Sequence, residues 1–261
     1  MSPAASAVVR GRSMPKLRLV TIGPSHYCEK ARWALDRAGI GYVEEAHVPM
    51  VHWLFTLPRT RTRTVPVLLT PHGHLTDSTD ILRFVDRGLA EPARLYPGDD
   101  SVARDVAALE DELDLELGTT ARRLVYCHLV HEPSLFVEVM SQGLGAPERA
   151  LLRAAHPVMR RALARAFNVS PRAAARMRER LDAQLATHAT RLADGRRYLL
   201  GDRFTAADLT LVSLLQPVML YGRSLDGLPA SIVELVSHYR ATDVGAWATR
   251  VRDEQRALRV V

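Results

Sequence analysis

Three short segments carry side chains able to do chemistry on a bound small molecule. The first is Pro24-Ser25-His26-Tyr27-Cys28-Glu29-Lys30, at the junction between an apolar extended run and a helical one. A helix N-terminus there presents free N–H groups and a partial positive charge, which favour a thiolate and can lower a thiol pKa from ~8.5 by one or more units. Ser25 is the candidate hydroxyl donor to such a sulfur, and equally an ordinary helix cap. Cys28 is a candidate lone reactive thiol, or a small apolar residue packed under the helix. The second segment is Thr64-Val65-Pro66-Val67. A proline inside an apolar strand removes a ladder donor, so this strand is an edge or Val65–Pro66 is cis. In the cis case the Val65 backbone faces outward and pairs with an extended peptide-like ligand. The third is Asp77-Ser78-Thr79-Asp80, where a hydroxyl and the first N–H groups of a helix form an anion site, with Asp77 an acceptor for an ammonium group.

The elements that must position these segments follow from pattern. Lys16–Ile22 alternates polar and apolar residues and reads as a strand. A helix is predicted from Tyr27 to Ala38, stopped by Gly39. Gly41–Glu45 is a short second strand, Val48–Thr62 is less regular with helix-like apolar positions, and Thr64–Thr70 and His74–Thr76 are strands about a Pro71–Gly73 turn. Asp77–Gly88 is helical. Pro92–Asp100 is rich in turn residues and marks a boundary. No convincing strand follows. Helices are predicted over Ser101–His131, Pro147–Phe167 with a kink at Pro157, from Ser170 (with Pro171 at the first helical position) to near Gly195, and from about Ala206, Ala230 and Asp243.

The order and spacing of the three segments resemble the thioredoxin-like domain of cytosolic glutathione S-transferases, over about Lys16–Arg87. Phe204-Thr205-Ala206-Ala207-Asp208-Leu209 reads as a capping box with a hydrophobic staple. It is similar to the motif opening the central helix of that family's second domain. The resemblance implies an α/β thioredoxin-like N-terminal domain at 16–90, a linker at 91–98 and an all-α C-terminal helical-bundle domain at 99–261. It implies glutathione as co-substrate and attack of its activated thiol on a small hydrophobic electrophile. A glutathione-dependent isomerase or lyase, and a non-catalytic binding protein, are the alternatives on the same scaffold.

By the same resemblance Ser25 takes the place of the activating hydroxyl, and Val65 pairs with the cysteinyl backbone of the tripeptide. Asp77 and Ser78 hold its γ-glutamyl end. His26, Thr64 and Pro66 complete the thiol site, and Arg63 faces the glycyl carboxylate in competition with Arg59 and Arg61. His26 and Asp77 depart from the family's usual proline and glutamate. With Ser25 in place of a first cysteine, Cys28 has no dithiol partner at that spacing. Tyr126, His128 and His131 are candidates to line the cavity for the electrophile, while Cys127 reads as core. Homodimers are usual in the family.

Composition agrees with this class and narrows it. The chain has 261 residues, 47% apolar and 25% charged, which suits one large domain or two small ones and is enough to bury a sizeable core. Its net charge of +6 is carried by arginine, with Lys16 and Lys30 the sole lysines. The arginines interleave with acids, as in Arg176–Gln184, so they read as solvated helix faces rather than a nucleic-acid surface. Two cysteines suit a reducing, cytoplasmic setting. Leu209–Leu220 is too interrupted to span a membrane, and the histidines show no zinc-ligand spacing, so no metal site is expected. Residues 1–15 are small and basic without an apolar stretch. They read as a disordered tail, with a transit peptide as the alternative.

Overall fold

The structure is a computed structural model that describes residues 17–257. The expected tail at 1–15 lies outside the described residues. Strand β1 (Leu17–Thr21) buries Leu19 and Val20 on its way into helix α1 (His26–Arg37). Ser25 caps α1, Glu29 sits in its first turn, and Gly39 at φ +63° follows its end, the left-handed residue that stops a helix at little cost. Strand β2 (Tyr42–Ala46) returns parallel to β1, in register Leu17 with Tyr42 through Thr21 with Ala46. Helix α2 (Trp53–Thr60) orders part of the stretch read as irregular. Strands β3 (Val67–Thr70) and β4 (Gly73–Leu75) form a hairpin whose first strand, β3, pairs antiparallel with β1, giving the sheet order β2-β1-β3-β4. Helix α3 (Ser78–Asp86) follows and packs on α1. This is the thioredoxin-like arrangement.

The predicted linker is firmly held. Asp86 Oδ1 accepts from the Leu95 N–H at 2.5 Å and the Tyr96 N–H at 3.2 Å, and Oδ2 accepts from Arg94 Nε at 3.1 Å. Leu95 is buried, and its carbonyl accepts from the Ala206 N–H at 2.9 Å.

Beyond it the chain is helical: α4 (Asp100–Glu112), α5 (Thr119–Leu129), α6 (Pro133–Met140), α7 (Ala146–Ala166), α8 (Pro171–Leu192), α9 (Ala206–Met219), α10 (Ala230–Arg240) and α11 (Asp243–Gln255). Two details correct the sequence reading. The run expected as one helix over 101–131 contains a π-helical turn, Leu113–Gly118, between α4 and α5. Helix α6 was not foreseen as separate, although Pro133 at its first position is a start signal. Helix α7 holds Pro157 within its length, where the sequence placed a proline inside a helix.

Helix α9 is the hub. Every residue from Ala206 to Leu215 is buried, as expected of a helix apolar on all sides. Its start is fixed by Asp208, whose carboxylate accepts from the N–H of Leu199 at 2.7 Å and from the N–H and hydroxyl of Thr205, both at 2.8 Å. Helix α1 packs on α9, and Trp33 meets Phe204 with ring centroids 5.8 Å apart. One apolar cluster therefore runs through both parts of the chain. A second, containing Phe136, Leu152, Ile232 and Val236, lies among α6, α7 and α10. Among the described residues no helix is long and apolar enough to cross a membrane.

Candidate functional site

Between the sheet domain and the helices lies a cavity of about 620 Å³, and Ser25 is on its wall. The turn from β1 to α1 puts Ser25 there. Its N–H donates to the Ile22 carbonyl at 2.9 Å, and its Oγ accepts from the Cys28 N–H at 3.4 Å. The cap uses Oγ as an acceptor, so the hydroxyl keeps a proton to donate, and the Cys28 sulfur is also within its reach. The N-terminus of α1 adds its partial positive charge at the same place.

The neighbours of Ser25 on α1 have settled protonation states. His26 is buried, with Nε2 at 3.1 Å from the Gly118 carbonyl. Burial first, then the charge of Arg122, lower its pKa to about 3, so the ring is neutral and donates from Nε2. Tyr27 donates its hydroxyl to the Asp114 carbonyl at 2.7 Å, and its pKa is pushed up to about 12, chiefly by burial. It remains a phenol. Cys28 is fully buried, does not line the cavity, and has its pKa raised by burial. It therefore packs beneath α1 as a thiol, the apolar alternative offered by the sequence, and Cys127 is likewise buried.

On the sheet side, Val65–Pro66 is cis, and Thr64 and Val65 line the cavity with Pro66 buried behind them. Arg63 also lines it, its guanidinium 5.1 Å from the Trp53 ring centroid. The Arg63 carbonyl accepts from His52 Nε2 at 2.8 Å; burial lowers the His52 pKa and keeps that ring neutral. Asp77 and Ser78 stand outside the lining. Asp77 is exposed and caps α3 by accepting from the Thr79 N–H at 2.8 Å, while Ser78 is buried. Asp77 acts electrostatically on Tyr27, which sets it near the start of α1.

A buried network fixes these parts to one another. Lys30 pairs with Glu110 at 2.7 Å and Asp114 at 2.6 Å, and donates to Thr79 Oγ1 at 3.2 Å. Tyr96 donates to the other oxygen of Glu110. Helices α1, α3 and α4 and the π-helical turn thus meet on one ammonium group. Two close approaches require glycine. A Cβ on Gly23 would stand 2.2 Å from the Gln142 carbonyl oxygen, and one on Gly118 would stand 2.5 Å from the Tyr27 hydroxyl.

The helical wall is mostly apolar, with Val125, Leu129, Leu163, Ile232 and Val236, and Tyr126 stacks on Phe167 at 4.4 Å. Of the three residues expected to line it, Tyr126 does, whereas His128 and His131 do not. Sequence reasoning missed Tyr27, Arg122, Phe167 and Tyr221. Arg122 and Phe167 lie on separate helices with nothing local to join them, while Tyr27 was within the first motif and open to notice.

Comparison with known proteins gives the same answer. The profile of the glutathione S-transferase N-terminal domain matches residues 19–93, and that of the glutathione S-transferase C-terminal domain matches residues 171–241. No curated protein matches the sequence. Among solved structures, a glutathione S-transferase I from mais in complex with an atrazine glutathione conjugate is similar, with TM-score 0.63 and 16% identity over 93% of this chain and 94% of that one. A glutathione S-transferase I bound with lactoylglutathione gives 0.61 and 17% identity over 93% and 99%. The β-etherase LigF from Sphingobium sp. strain SYK-6 gives 0.60 and 15% identity over 90% and 99%. At such identities the likeness is one of fold. With a sheet domain and a helical domain each matched in order, the chain belongs to the cytosolic glutathione S-transferase superfamily.

Proposed function

We propose that the protein is a thiol transferase that takes glutathione, or a closely related thiol, as co-substrate and directs its sulfur at a small hydrophobic electrophile. The observation that carries this reading is the position of Ser25, at the N-terminus of α1 and on the wall of a cavity whose far side is apolar. The solved relatives holding glutathione conjugates support the choice of thiol. In this reading the Val65 backbone pairs with the cysteinyl unit, with Thr64, Pro66 and His26 shaping its bed. Arg63 meets the glycyl carboxylate, and Asp77 with Ser78 holds the γ-glutamyl end. Ser25 donates to the sulfur and, with the helix dipole, stabilises the thiolate. The thiolate forms a carbon–sulfur bond to the electrophile while the leaving group departs and the thiol proton passes to solvent. Residues 16–90 would form the thiol-binding unit and 99–261 the helical unit, in a cytoplasmic homodimer.

The test is retention on immobilised glutathione and thiol consumption with 1-chloro-2,4-dinitrobenzene. Ser25→Ala should reduce turnover about tenfold to a hundredfold, the worth of a hydrogen bond to a charged group, and shift the pH–rate profile of the bound thiol upward. Unchanged turnover removes Ser25 from the mechanism. Neither retention nor turnover, with any electrophile, sinks the transferase reading.

A further inference from the structure

The cavity wall carries a cation with no hydrogen-bond or ion-pair partner among the described residues. Most charged side chains on that wall are balanced: Arg32 pairs with Glu29 at 3.5 Å and Glu44 at 2.8 Å, Glu29 with Arg256 at 2.8 Å, and Arg223 with Glu138 at 2.6 Å. Arg122 makes no ion pair and no hydrogen bond with any described residue, and its Nε is buried without a partner. It is nevertheless held in place. Its guanidinium lies 5.6 Å from the Tyr27 ring centroid and 5.4 Å from that of Phe167, between aromatic groups of the sheet domain and of the chain just after α7.

An unpaired guanidinium beside an apolar wall is costly until an anion meets it. Its planar fork matches a carboxylate. Arg63 is the other cavity cation without an ion pair among the described residues, but it is exposed on the sheet side, beside the glutathione segment at Thr64–Val65. Arg122 is on α5, in the helical wall, next to the stacked Tyr126 and Phe167 rings. The two cations thus lie on different walls of the cavity.

We propose that the electrophile is a carboxylate-bearing aromatic compound whose carboxylate is bound by Arg122 while its ring lies along Tyr126 and Phe167. This rests on the transferase reading and adds the acceptor's charge to it. The sulfur of the bound thiolate bonds to the activated ring carbon, the halide or equivalent leaving group departs with the bonding pair, and the thiol proton goes to solvent.

The test compares 4-chloro-3,5-dinitrobenzoate with its methyl ester, which share ring and leaving group and differ in charge. Each kcat/KM is divided by the uncatalysed rate constant, and the acid-to-ester ratio is the readout, so a partly unfolded variant does not distort it. Arg122→Met, which keeps the stem and loses the charge, should lower the ratio about tenfold to a hundredfold, mainly through KM for the acid. Arg122→Lys should restore part of it. Turnover of both acceptors with a ratio unchanged in Arg122→Met overturns the proposal alone. So does an equal loss on both acceptors accompanied by an upward shift of the thiol's pH–rate profile, since Arg122 would then act on the sulfur. No reaction with either acceptor, by a protein that is retained on immobilised glutathione or consumes thiol with 1-chloro-2,4-dinitrobenzene, overturns the proposal alone; neither retention nor turnover of any electrophile overturns the transferase reading, and the proposal with it.

Discussion

Replacing Lys30 by Met should be the most damaging single change at the domain junction. Lys30 and Glu110 are fully buried and 2.7 Å apart, and Asp114, largely buried, is 2.6 Å from the same ammonium group. The methionine fills a similar volume but leaves two carboxylates facing each other without a cation. Breaking a buried pair by removing one member costs about 3–5 kcal/mol. For a chain of this length, about 2 °C of Tm is lost per kcal/mol, so thermal unfolding should fall by roughly 6–10 °C. The pH dependence is diagnostic. Burial already raises the Asp114 pKa against the opposing pull of Lys30, and loss of that pull raises it further. A carboxyl whose folded pKa exceeds its unfolded one binds protons more readily in the folded state. Its penalty is therefore present at high pH and is relieved on acidification. The deficit of Lys30→Met should be largest near pH 8 and shrink towards pH 5. Adding Glu110→Gln removes one of the stranded charges while leaving an acceptor for Tyr96, and should recover part of the loss. Calorimetry of the three proteins at pH 5, 6.5 and 8 makes the measurement. A Lys30→Met protein within about 1 kcal/mol of the parent, or a Glu110→Gln change that adds to the loss, refutes the reasoning.

Three further expectations follow from the same geometry. His26 and His188 are held neutral by burial, with pKa values lowered to about 3 and about 4; their contribution is full above the unfolded value of ~6.5 and is lost as pH falls. Urea unfolding should show stability dropping between pH 6.5 and 4, and His26→Gln should reduce that slope by up to about 1.4 kcal/mol per pH unit. Gly118→Ala should cost about 1–3 kcal/mol and weaken glutathione binding, because its Cβ would collide with the Tyr27 hydroxyl and stand 3.1 Å from Leu214 Cδ2; a variant as stable and as tight-binding as the parent would contradict this. Asp208→Ala strands the Leu199 and Thr205 donors and should cost about 3 kcal/mol or more by denaturant unfolding, with a loss under 1 kcal/mol counting against the capping role.

The sheet domain was legible in the sequence because its information is local. Ser25, Gly39 and Asp77 are punctuation that any helix of this kind needs, and β1 to β4 alternate or run apolar over short stretches between turn residues. The segment Thr64–Pro66 was legible for a related reason, since a proline in an apolar strand limits what the backbone can do there. The same locality explains the fate of Cys28. Position alone puts it at a helix N-terminus, where a thiolate is favoured, but three residues on from Ser25 it has turned to the inner face of α1, where burial disfavours the anion. Helical phase, not distance along the chain, decides between a reactive and a packed thiol. For Asp77 and Ser78 the sequence located the helix start, but which of the two faces inward depends on how α3 sits against α1, a tertiary matter.

The helical wall was not legible because its members have no common local signal. Arg122, Tyr126, Phe167 and Ile232 come from α5, the end of α7 and α10, and each reads in its own helix as one more apolar or cationic position. In a chain so rich in arginine, Arg122 cannot be told from a solvated residue by pattern. Its standing comes from subtraction: Arg32 and Arg223 on the wall find carboxylates, and among the described residues Arg122 does not. Subtraction needs coordinates, since a partner for an arginine can lie anywhere in the fold. On the proposed reading, the thiol half of the site is thus written in motifs that the fold itself requires. The acceptor half is written in which charges the fold leaves unpaired, and it is there that members of one superfamily can differ in substrate while keeping the same thiol.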